Sequence, residues 1–242
     1  MFLPKLNSKL LAQTGLGEVF EDAVTPTLLF LPSLTPLEES LQLLPASYDA
    51  LFVLADVRFT DDEAGHSSRL KLYDRIMRKG VLTGYLHSND CPAIVEILVT
   101  QISRILSKMG IHSVKYLKDI LPILTTVLTD PFGPARPSLL LSGMKTLQAV
   151  ILNCWPRIAL DKGHRMEVVK MLVLCWKNLS EGEEDGKEKG LDEVKEELKV
   201  AGKLLVGAVE KEVDFRTELM PLFEADPGLV EVFGMDHERI DS

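Results

Sequence analysis

An apolar block recurs about every fifty residues along the chain, and this recurrence limits the fold more than any other feature. Similar blocks occupy residues 120–124, 170–174 and 219–223. Each block lies in the second of two stretches with helix-like apolar spacing. A period of this length that contains two helices is typical of HEAT- and armadillo-type arrays. The sequence therefore predicts an all-α fold, specifically a HEAT/armadillo-like α-solenoid of stacked helix pairs.

The composition suits a protein with a large aliphatic core in a reducing compartment. Apolar residues make up 46% of the 242 residues, whereas aromatic residues make up 6%. Charged residues interrupt the apolar runs before these reach the roughly 18 to 20 residues of a membrane span, and the N-terminus lacks a signal-peptide pattern. The three cysteines form no close pair in sequence, so we expect free thiols and a cytoplasmic and nuclear location.

Charge is divided unevenly along the chain. Residues 1–60 carry 3 basic and 7 acidic side chains, residues 61–180 carry 16 and 10, and residues 181–242 carry 8 and 19, which gives the net charge of −9. A basic middle beside an acidic end steers partners in some proteins, but two solvated faces produce the same pattern. Both interpretations stay open.

Prolines and glycines indicate how the chain is organised. Residues 1–35 are expected to form an irregular N-terminal cap segment, and residues 36–242 a single helical-repeat domain. Pro45 and Pro156 are each expected to end a helix, because proline removes a backbone N–H donor. Residues 181–190 form an acidic, glycine-punctuated loop that we expect to be disordered.

The sequence offers little catalytic or ligand-binding chemistry. It contains no phosphate-binding loop of the Walker type, no Gly-x-Ser-x-Gly motif, and no histidine or cysteine pair at metal-ligand spacing. We therefore expect no catalytic residue, cofactor or metal. Ser180, followed three positions later by an acidic residue, is a candidate phosphorylation site for an acidophilic kinase. Lys71, Arg75 and Lys79 form a basic stripe, which suits a solvated helix face better than a nucleic-acid site.

Four segments carry a more specific signal. The two most specific are Asp130-Pro131-Phe132 and Cys154-Trp155-Pro156-Arg157-Ile158, and the others are residues 75–80 and residues 113–122. Together they resemble the second Tel-two-interacting protein family, whose members are the smallest subunit of the TTT co-chaperone complex.

The resemblance implies a non-catalytic scaffold that binds Tel-two and the larger Tel-two-interacting protein. That complex acts with the ninety-kilodalton heat-shock chaperone in the maturation and stability of phosphatidylinositol-kinase-like protein kinases, including the TOR and DNA-damage checkpoint kinases. Family members are usually considerably longer, as expected if this chain lacks an N-terminal portion or represents a short gene model.

Five side chains are candidate partner-binding residues, because aromatic and arginine anchors usually dominate interfaces. For Trp155 and Phe132 the alternatives stay open: Trp155 either packs in the core or anchors a partner, and Phe132 either caps the repeat below it or binds from a proline-stiffened loop. The five candidates are Phe132, Arg136, Trp155, Arg157 and Trp176.

Two other functions fit a helical array. A transport-type adaptor that binds charged peptides usually carries regular asparagine and tryptophan ladders, for which Asn153, Asn178, Trp155 and Trp176 are too few. A nucleic-acid-binding repeat would use the basic middle of the chain, and its affinity would fall steeply with salt.

Overall fold

The computed structural model describes residue 11, residues 14–182 and residues 190–235. Within these residues the chain forms helices joined by turns and contains no β-strand, so the all-α prediction is confirmed for the described part. The helices fall into two compact units that divide between Met109 and Gly110. The division lies inside the predicted domain of residues 36–242, whose assignment as one domain stays a prediction.

The first unit contains five α-helices in its described part, with a 3₁₀ helix and a π-helix between them. Local signals set several boundaries: the Asp62 carboxylate accepts a hydrogen bond from Gly65 N at 2.7 Å and caps α3, and Pro92 is the first residue of α5. The elements are α1 (Leu16–Val24), the 3₁₀ helix Thr25–Leu29, α2 (Leu37–Arg58), α3 (Glu63–Arg75), the π-helix Ile76–Leu82, α4 (Thr83–Ser88) and α5 (Pro92–Met109).

The π-helix contains most of residues 75–80, one of the four segments that carry the family resemblance. Leu72 and Tyr73 at the end of α3 and Ile76 at the start of the π-helix are buried. Gly80 lies where a Cβ would come within 2.7 Å of Leu28 Cδ1 and 3.0 Å of the Tyr48 hydroxyl. The absence of a side chain at this position therefore allows the π-helix to pack against the 3₁₀ helix and α2.

The second unit contains six α-helices in its described part. One 3₁₀ helix precedes α6, and another lies between α6 and α7. The elements are the 3₁₀ helix Gly110–Tyr116, α6 (Leu117–Leu128), the 3₁₀ helix Gly133–Ala135, α7 (Pro137–Leu160), α8 (Lys162–Gly182), α9 (Leu191–Val209), α10 (Phe215–Ala225) and α11 (Leu229–Phe233).

Helices α7 and α9 pack side by side and run in the same direction. Lys145 Nζ lies 3.4 Å from Glu193 Oε1, and Gln148 Nε2 donates to the Glu197 carbonyl at 2.9 Å. Because the contact positions rise together along both helices, the two helices are parallel. Each contact joins residues 48 or 49 positions apart.

Helices α6 and α8 are related in the same way. Thr125 Oγ1 donates to Glu167 Oε1 at 2.9 Å, and Asn178 Nδ2 donates to the Asp130 carbonyl at 3.2 Å, just beyond the end of α6. These contacts also rise together, so α6 and α8 are parallel. The second unit therefore contains two interleaved pairs of parallel helices.

The three apolar blocks that define the sequence period lie in α6, α8 and α10 of this unit. Their aliphatic and aromatic side chains provide a large part of the core. The buried members are Ile120, Leu121, Ile123, Leu124, Met171, Leu172, Leu219 and Phe223.

Helix α10 is attached to α8 by a charged pair. Arg165 is 3% exposed, and its Nε and NH2 groups each donate to the Glu218 carboxylate at 2.9 Å. The same guanidinium donates to the Ala159 carbonyl at 2.6 Å. The hydrogen bonds from Arg165 hold the pKa of Glu218 below its ordinary range, so the pair is ionised at neutral pH.

The expectation that Pro45 and Pro156 end helices is wrong. Pro45 lies inside α2, and Pro156 lies inside α7, which continues to Leu160. An internal proline costs about 3 kcal/mol, but residues on both sides are anchored in the core. Leu44 and Tyr48 are fully buried around Pro45, as Cys154 and Ile158 are around Pro156, so tertiary burial offsets the local cost.

The predicted cap and loop segments are partly described. Helix α1 and the 3₁₀ helix Thr25–Leu29 lie within residues 1–35, for which the sequence predicts irregular structure. The role of that segment as a cap stays a prediction. Residues 183–189 of the predicted disordered loop lie outside the described residues, whereas the residues just before them form the last turn of α8. None of the described helices has the length and apolar character needed to cross a membrane.

Candidate partner-binding site

A groove between α7 and α9 is the main candidate site of the second unit. We call it the Trp155 groove, and it has a volume of about 370 Å³. Helix α7 forms one wall and α9, with the turn that follows it, forms the other. Its lining residues are Ile151, Leu152, Trp155, Lys203, Leu204, Gly207, Ala208, Lys211 and Glu212.

The wall on α7 is apolar and solvent-exposed. Leu152 and Trp155 are 58% and 44% exposed, although they neighbour Ile151 and Cys154, which are buried. The difference follows from helical geometry, since adjacent residues point about 100° apart at 3.6 residues per turn. The inner face of α7 is occupied by the core, so Leu152 and Trp155 project from its outer face.

The wall on α9 carries a second apolar stripe beside the one that packs in the core. Leu198 and Leu205 are fully buried, whereas Val200 is 44% exposed and Leu204 is partly exposed. Gly207 follows Leu204 by about one turn, and a Cβ added there would meet nothing within 4 Å. Helix α9 therefore presents an open apolar face to the groove.

The rim of the groove carries two lysines. The sequence places Lys203 and Lys211 eight positions apart, and both side chains are exposed. Among the described residues, neither ammonium group lies within ion-pair distance of a carboxylate, in contrast to Lys199, which contacts Glu196 and Glu231 at 2.8 Å each. Glu212 is the acidic lining residue. The described rim therefore has one more positive than negative charge.

The chemistry available at the groove is suited to binding. The described residues contain no group of three or more histidine, cysteine, aspartate or glutamate side chains that could hold a metal ion. Cys154, next to Trp155 in sequence, faces the core, where burial raises the pKa of its thiol. The groove itself offers apolar contacts and exposed charges, which are the elements of a protein interface.

Phe132 lies on a turn at the other end of α7. Its backbone N–H donates to Asp130 Oδ1 at 2.9 Å, and Asn178 holds the Asp130 carbonyl from α8. The Phe132 side chain is 76% exposed. The turn thus fixes its backbone locally and leaves the aromatic ring available for contact.

The two candidate arginines have different surroundings. Arg136 is an exposed residue immediately before α7. Arg157 is exposed on α7, where its NH2 group lies 3.2 Å from Asp161 Oδ2. The Asp161 carboxylate also accepts backbone hydrogen bonds from Gly163 and His164. The bond from the His164 N–H, together with the nearby His164 and Arg157 side chains, holds the pKa of Asp161 below its ordinary range.

Trp176 is partly buried within the second unit. The Lys195 ammonium lies 6.0 Å from the centre of its ring. Gly228 lies against the indole, because a Cβ there would be 3.4 Å from Nε1. The backbone carbonyl of Trp176 accepts a hydrogen bond from the Ser180 hydroxyl at 3.0 Å. Ser180 is exposed and belongs to the last turn of α8 rather than to a loop.

The structure does not bring the five predicted anchors into one site. Arg136 precedes α7 and Trp155 lies 19 residues further along the chain, so about 28 Å of helix separates them at 1.5 Å per residue. Trp155 is the predicted anchor that lines the groove. That these five residues bind a partner stays a prediction.

Sequence reasoning missed most of the groove. It did not single out Leu152, Lys203, Leu204 or Lys211. The available signal was the second stripe of Val200, Leu204 and Ala208 on α9, since a helix with apolar residues on two sides has a face that the core does not need. Its pairing with the outer face of α7 required the fold.

Comparison with known proteins gives one family. The model of the Tti2 family matches residues 1–135 of the chain. The match includes the π-helix segment and the Asp130-Pro131-Phe132 turn, and it ends before α7. No curated protein and no solved structure matches the chain.

Proposed function

The chain belongs to the Tti2 family, and from this membership we propose that it is a non-catalytic scaffold subunit of the TTT complex. The observation that carries the proposal is the family match over residues 1–135, more than half of the chain. It includes three of the four segments on which the resemblance is based, namely residues 75–80, residues 113–122 and Asp130-Pro131-Phe132, whereas residues 154–158 lie beyond it. The partners in this proposal are Tel-two and the larger Tel-two-interacting protein.

The proposed cellular role follows from the complex. As a TTT subunit, the chain would act with the ninety-kilodalton heat-shock chaperone on phosphatidylinositol-kinase-like protein kinases, in the cytoplasm and the nucleus. Its part is to bind the larger interactor and to hold that protein in a conformation competent for binding. This role requires exposed contact surface and no catalytic group.

A HEAT- or armadillo-like stacking of helix pairs is part of the proposal. Within the second unit, the parallel pairs α6/α8 and α7/α9 support it, because stacked repeats place equivalent helices side by side. The spacing of 48 or 49 residues between hydrogen-bonded positions of α7 and α9 also supports it. That spacing is close to the period of the apolar blocks.

Two exposed surfaces of the second unit suit a scaffold. One is the Phe132 turn, whose backbone is already ordered, so little conformational entropy is lost when the ring is buried by a partner. The other is the Trp155 groove. The Phe132 turn lies inside the matched residues and the groove lies outside them, so the turn is the better candidate for an interface common to the family.

Affinity purification of the tagged chain from its own cells tests the proposal. We expect Tel-two and the larger interactor to co-purify in stoichiometric amounts, with a phosphatidylinositol-kinase-like kinase in smaller amounts. Recovery of neither TTT subunit would contradict the proposed function, whatever else is recovered.

A pair of variants sharpens the experiment. Phe132→Ala is expected to lower recovery of the larger interactor, with unchanged thermal unfolding of the isolated chain. Leu160→Ala is the matched control, since Leu160 is also an exposed apolar residue, at 73%, and lies away from the turn at the far end of α7. Equal loss of the partner with both variants would exclude the Phe132 turn as a specific contact.

A further inference from the structure

We propose that the Trp155 groove binds an acidic amphipathic α-helix of a partner protein. The proposal rests on the proposed function only in taking a protein as the occupant. The groove belongs to the part of the chain beyond the family match, so its specificity has to be derived from its own residues.

The walls of the groove fit the apolar stripe of a helix. Leu152 and Trp155 lie about one turn apart on α7, and Leu204 and Ala208 lie one turn apart on α9. A helix laid between these two ridges would place side chains at positions i, i+3 or i+4, and i+7 against both walls. A volume of about 370 Å³ accommodates several aliphatic side chains of such a helix.

Gly207 leaves a gap in the row of side chains on the α9 wall. Space is open around the position of its missing Cβ, with no atom within 4 Å. Leu204 stands one turn before it and Lys211 one turn after it. A large apolar side chain of the occupant can therefore approach the backbone of α9 between these two residues.

The rim determines the charge of the occupant. The other lysines on α7 and α9 are engaged. Lys145 lies 3.4 Å from Glu193, Lys199 lies 2.8 Å from both Glu196 and Glu231, and Lys195 lies 6.0 Å from the centre of the Trp176 ring. Lys203 and Lys211 contact no carboxylate among the described residues. Carboxylates on the flanks of the occupant would pair with them, and an occupant with lysines there would meet like charges.

Glu212 offsets part of the positive charge of the rim. It lies next to Lys211 at the end of the groove where α9 terminates. Glu196 also acts on the charge of Lys203 from the preceding part of α9, and the residues that line the groove keep a net charge of +1.

Two designed helical peptides test the proposal on the full chain. Both have the same leucine stripe; one carries glutamates on its flanks and the other carries lysines. Fluorescence anisotropy of the labelled peptides gives the two dissociation constants at about 0.15 M salt, where the field of the net charge of the chain is largely screened. We expect the acidic peptide to bind about tenfold more tightly or better, and the difference to shrink as salt is added.

Variants locate the binding. Lys203→Glu with Lys211→Glu should reverse the preference between the peptides. Lys71→Glu with Lys118→Glu is the matched control, because it makes the same change in net charge at exposed lysines outside the groove. Trp155→Ala should weaken binding of the acidic peptide roughly tenfold or more, as expected for a central aromatic anchor, and circular dichroism should show that the variant remains folded.

Several outcomes would overturn the proposal. They are equal binding of the two peptides, no binding of the acidic peptide, or an equal effect of the control pair of substitutions. If the chain forms a dimer and Trp155→Ala abolishes it, the groove binds a second copy of the chain instead. If the TTT subunits co-purify with the chain but the peptide experiments fail, the proposed function stands and the groove assignment does not. If the acidic peptide binds as expected but the TTT subunits do not co-purify, only the groove assignment stands.

Discussion

At the scale of single residues, two glycines on α9 show how the same residue type serves two surfaces. A Cβ at Gly202 would lie 2.1 Å from the Val232 carbonyl oxygen, so α11 can approach only because that position has no side chain. Gly207, five positions further on the same helix, faces the open groove. The first glycine is required by packing inside the unit, and the second is not.

The two glycines give opposite stability predictions. Gly202→Ala is expected to lower the free energy of unfolding by about 2 kcal/mol or more, because α11 must move away from α9. Gly207→Ala is expected to raise it by up to about 1 kcal/mol, since alanine favours the helix and meets no neighbour. Urea unfolding of the two variants and the parent chain measures both. A stable Gly202→Ala variant would contradict the close approach of α9 and α11.

At the scale of elements, α1 is attached to the first unit by one buried carboxylate. Glu21 is 6% exposed, accepts a hydrogen bond from Arg58 at 2.7 Å, and is also bonded to Arg75. Glu18, on the same helix, contacts Arg58 at 3.1 Å, but its side chain is 75% exposed. Arg75 belongs to the predicted basic stripe of Lys71, Arg75 and Lys79. Its contact with Glu21 therefore pairs one of the three charges of the stripe within the unit.

The two glutamates are therefore expected to differ in their effect on α1. Glu21→Gln removes the buried carboxylate that pairs with the guanidinium of Arg58 and should lower the free energy of unfolding by about 2 to 3 kcal/mol. This is somewhat less than the loss of a fully buried pair, because Arg75 is partly exposed. Glu18→Gln should cost less than about 1 kcal/mol, as exposed pairs do. Amide hydrogen exchange over residues 16–24 reports the loosening of α1. Equal exchange in both variants would show that Glu21 does not hold the helix.

At the scale of the whole molecule, the three cysteines report on both units. Cys91 is partly exposed in the first unit, whereas Cys154 and Cys175 are buried in the second. Burial raises the pKa of the Cys175 thiol to about 12. Because the thiolate is the reactive form, a buried thiol of this kind reacts only when its surroundings open.

Thiol labelling at pH 8 should therefore proceed in two phases in the folded chain. One thiol, Cys91, should react quickly, and the other two should react slower by a factor on the order of 100 or more, since both access and ionisation are restricted. In concentrated guanidinium all three should react at similar rates. The Cys91→Ser variant is the control and should retain only the slow phase. A fast thiol in that variant would contradict the burial of Cys154 and Cys175.

The candidate site was predictable only in part. Trp155 was identified as a candidate from residue type and motif, but its partners in the groove come from α9, about fifty positions away in sequence. Periodicity identifies the buried stripe of α9 readily, because apolar residues recur at helical spacing. It does not reveal which helix lies beside the second stripe, and that neighbour makes the stripe one wall of a groove.

The sequence by itself determined the helical class, the positions of most helices and the family. These properties depend on local apolar spacing and on short motifs, which the linear order of residues contains in full. Tertiary structure alone decided that α2 and α7 continue through Pro45 and Pro156. It also decided that Gly202 is constrained while Gly207 is free, and that Trp155 faces a basic-rimmed groove. In each case the deciding energy comes from neighbours distant in sequence, because burial offsets a local cost or imposes a steric limit.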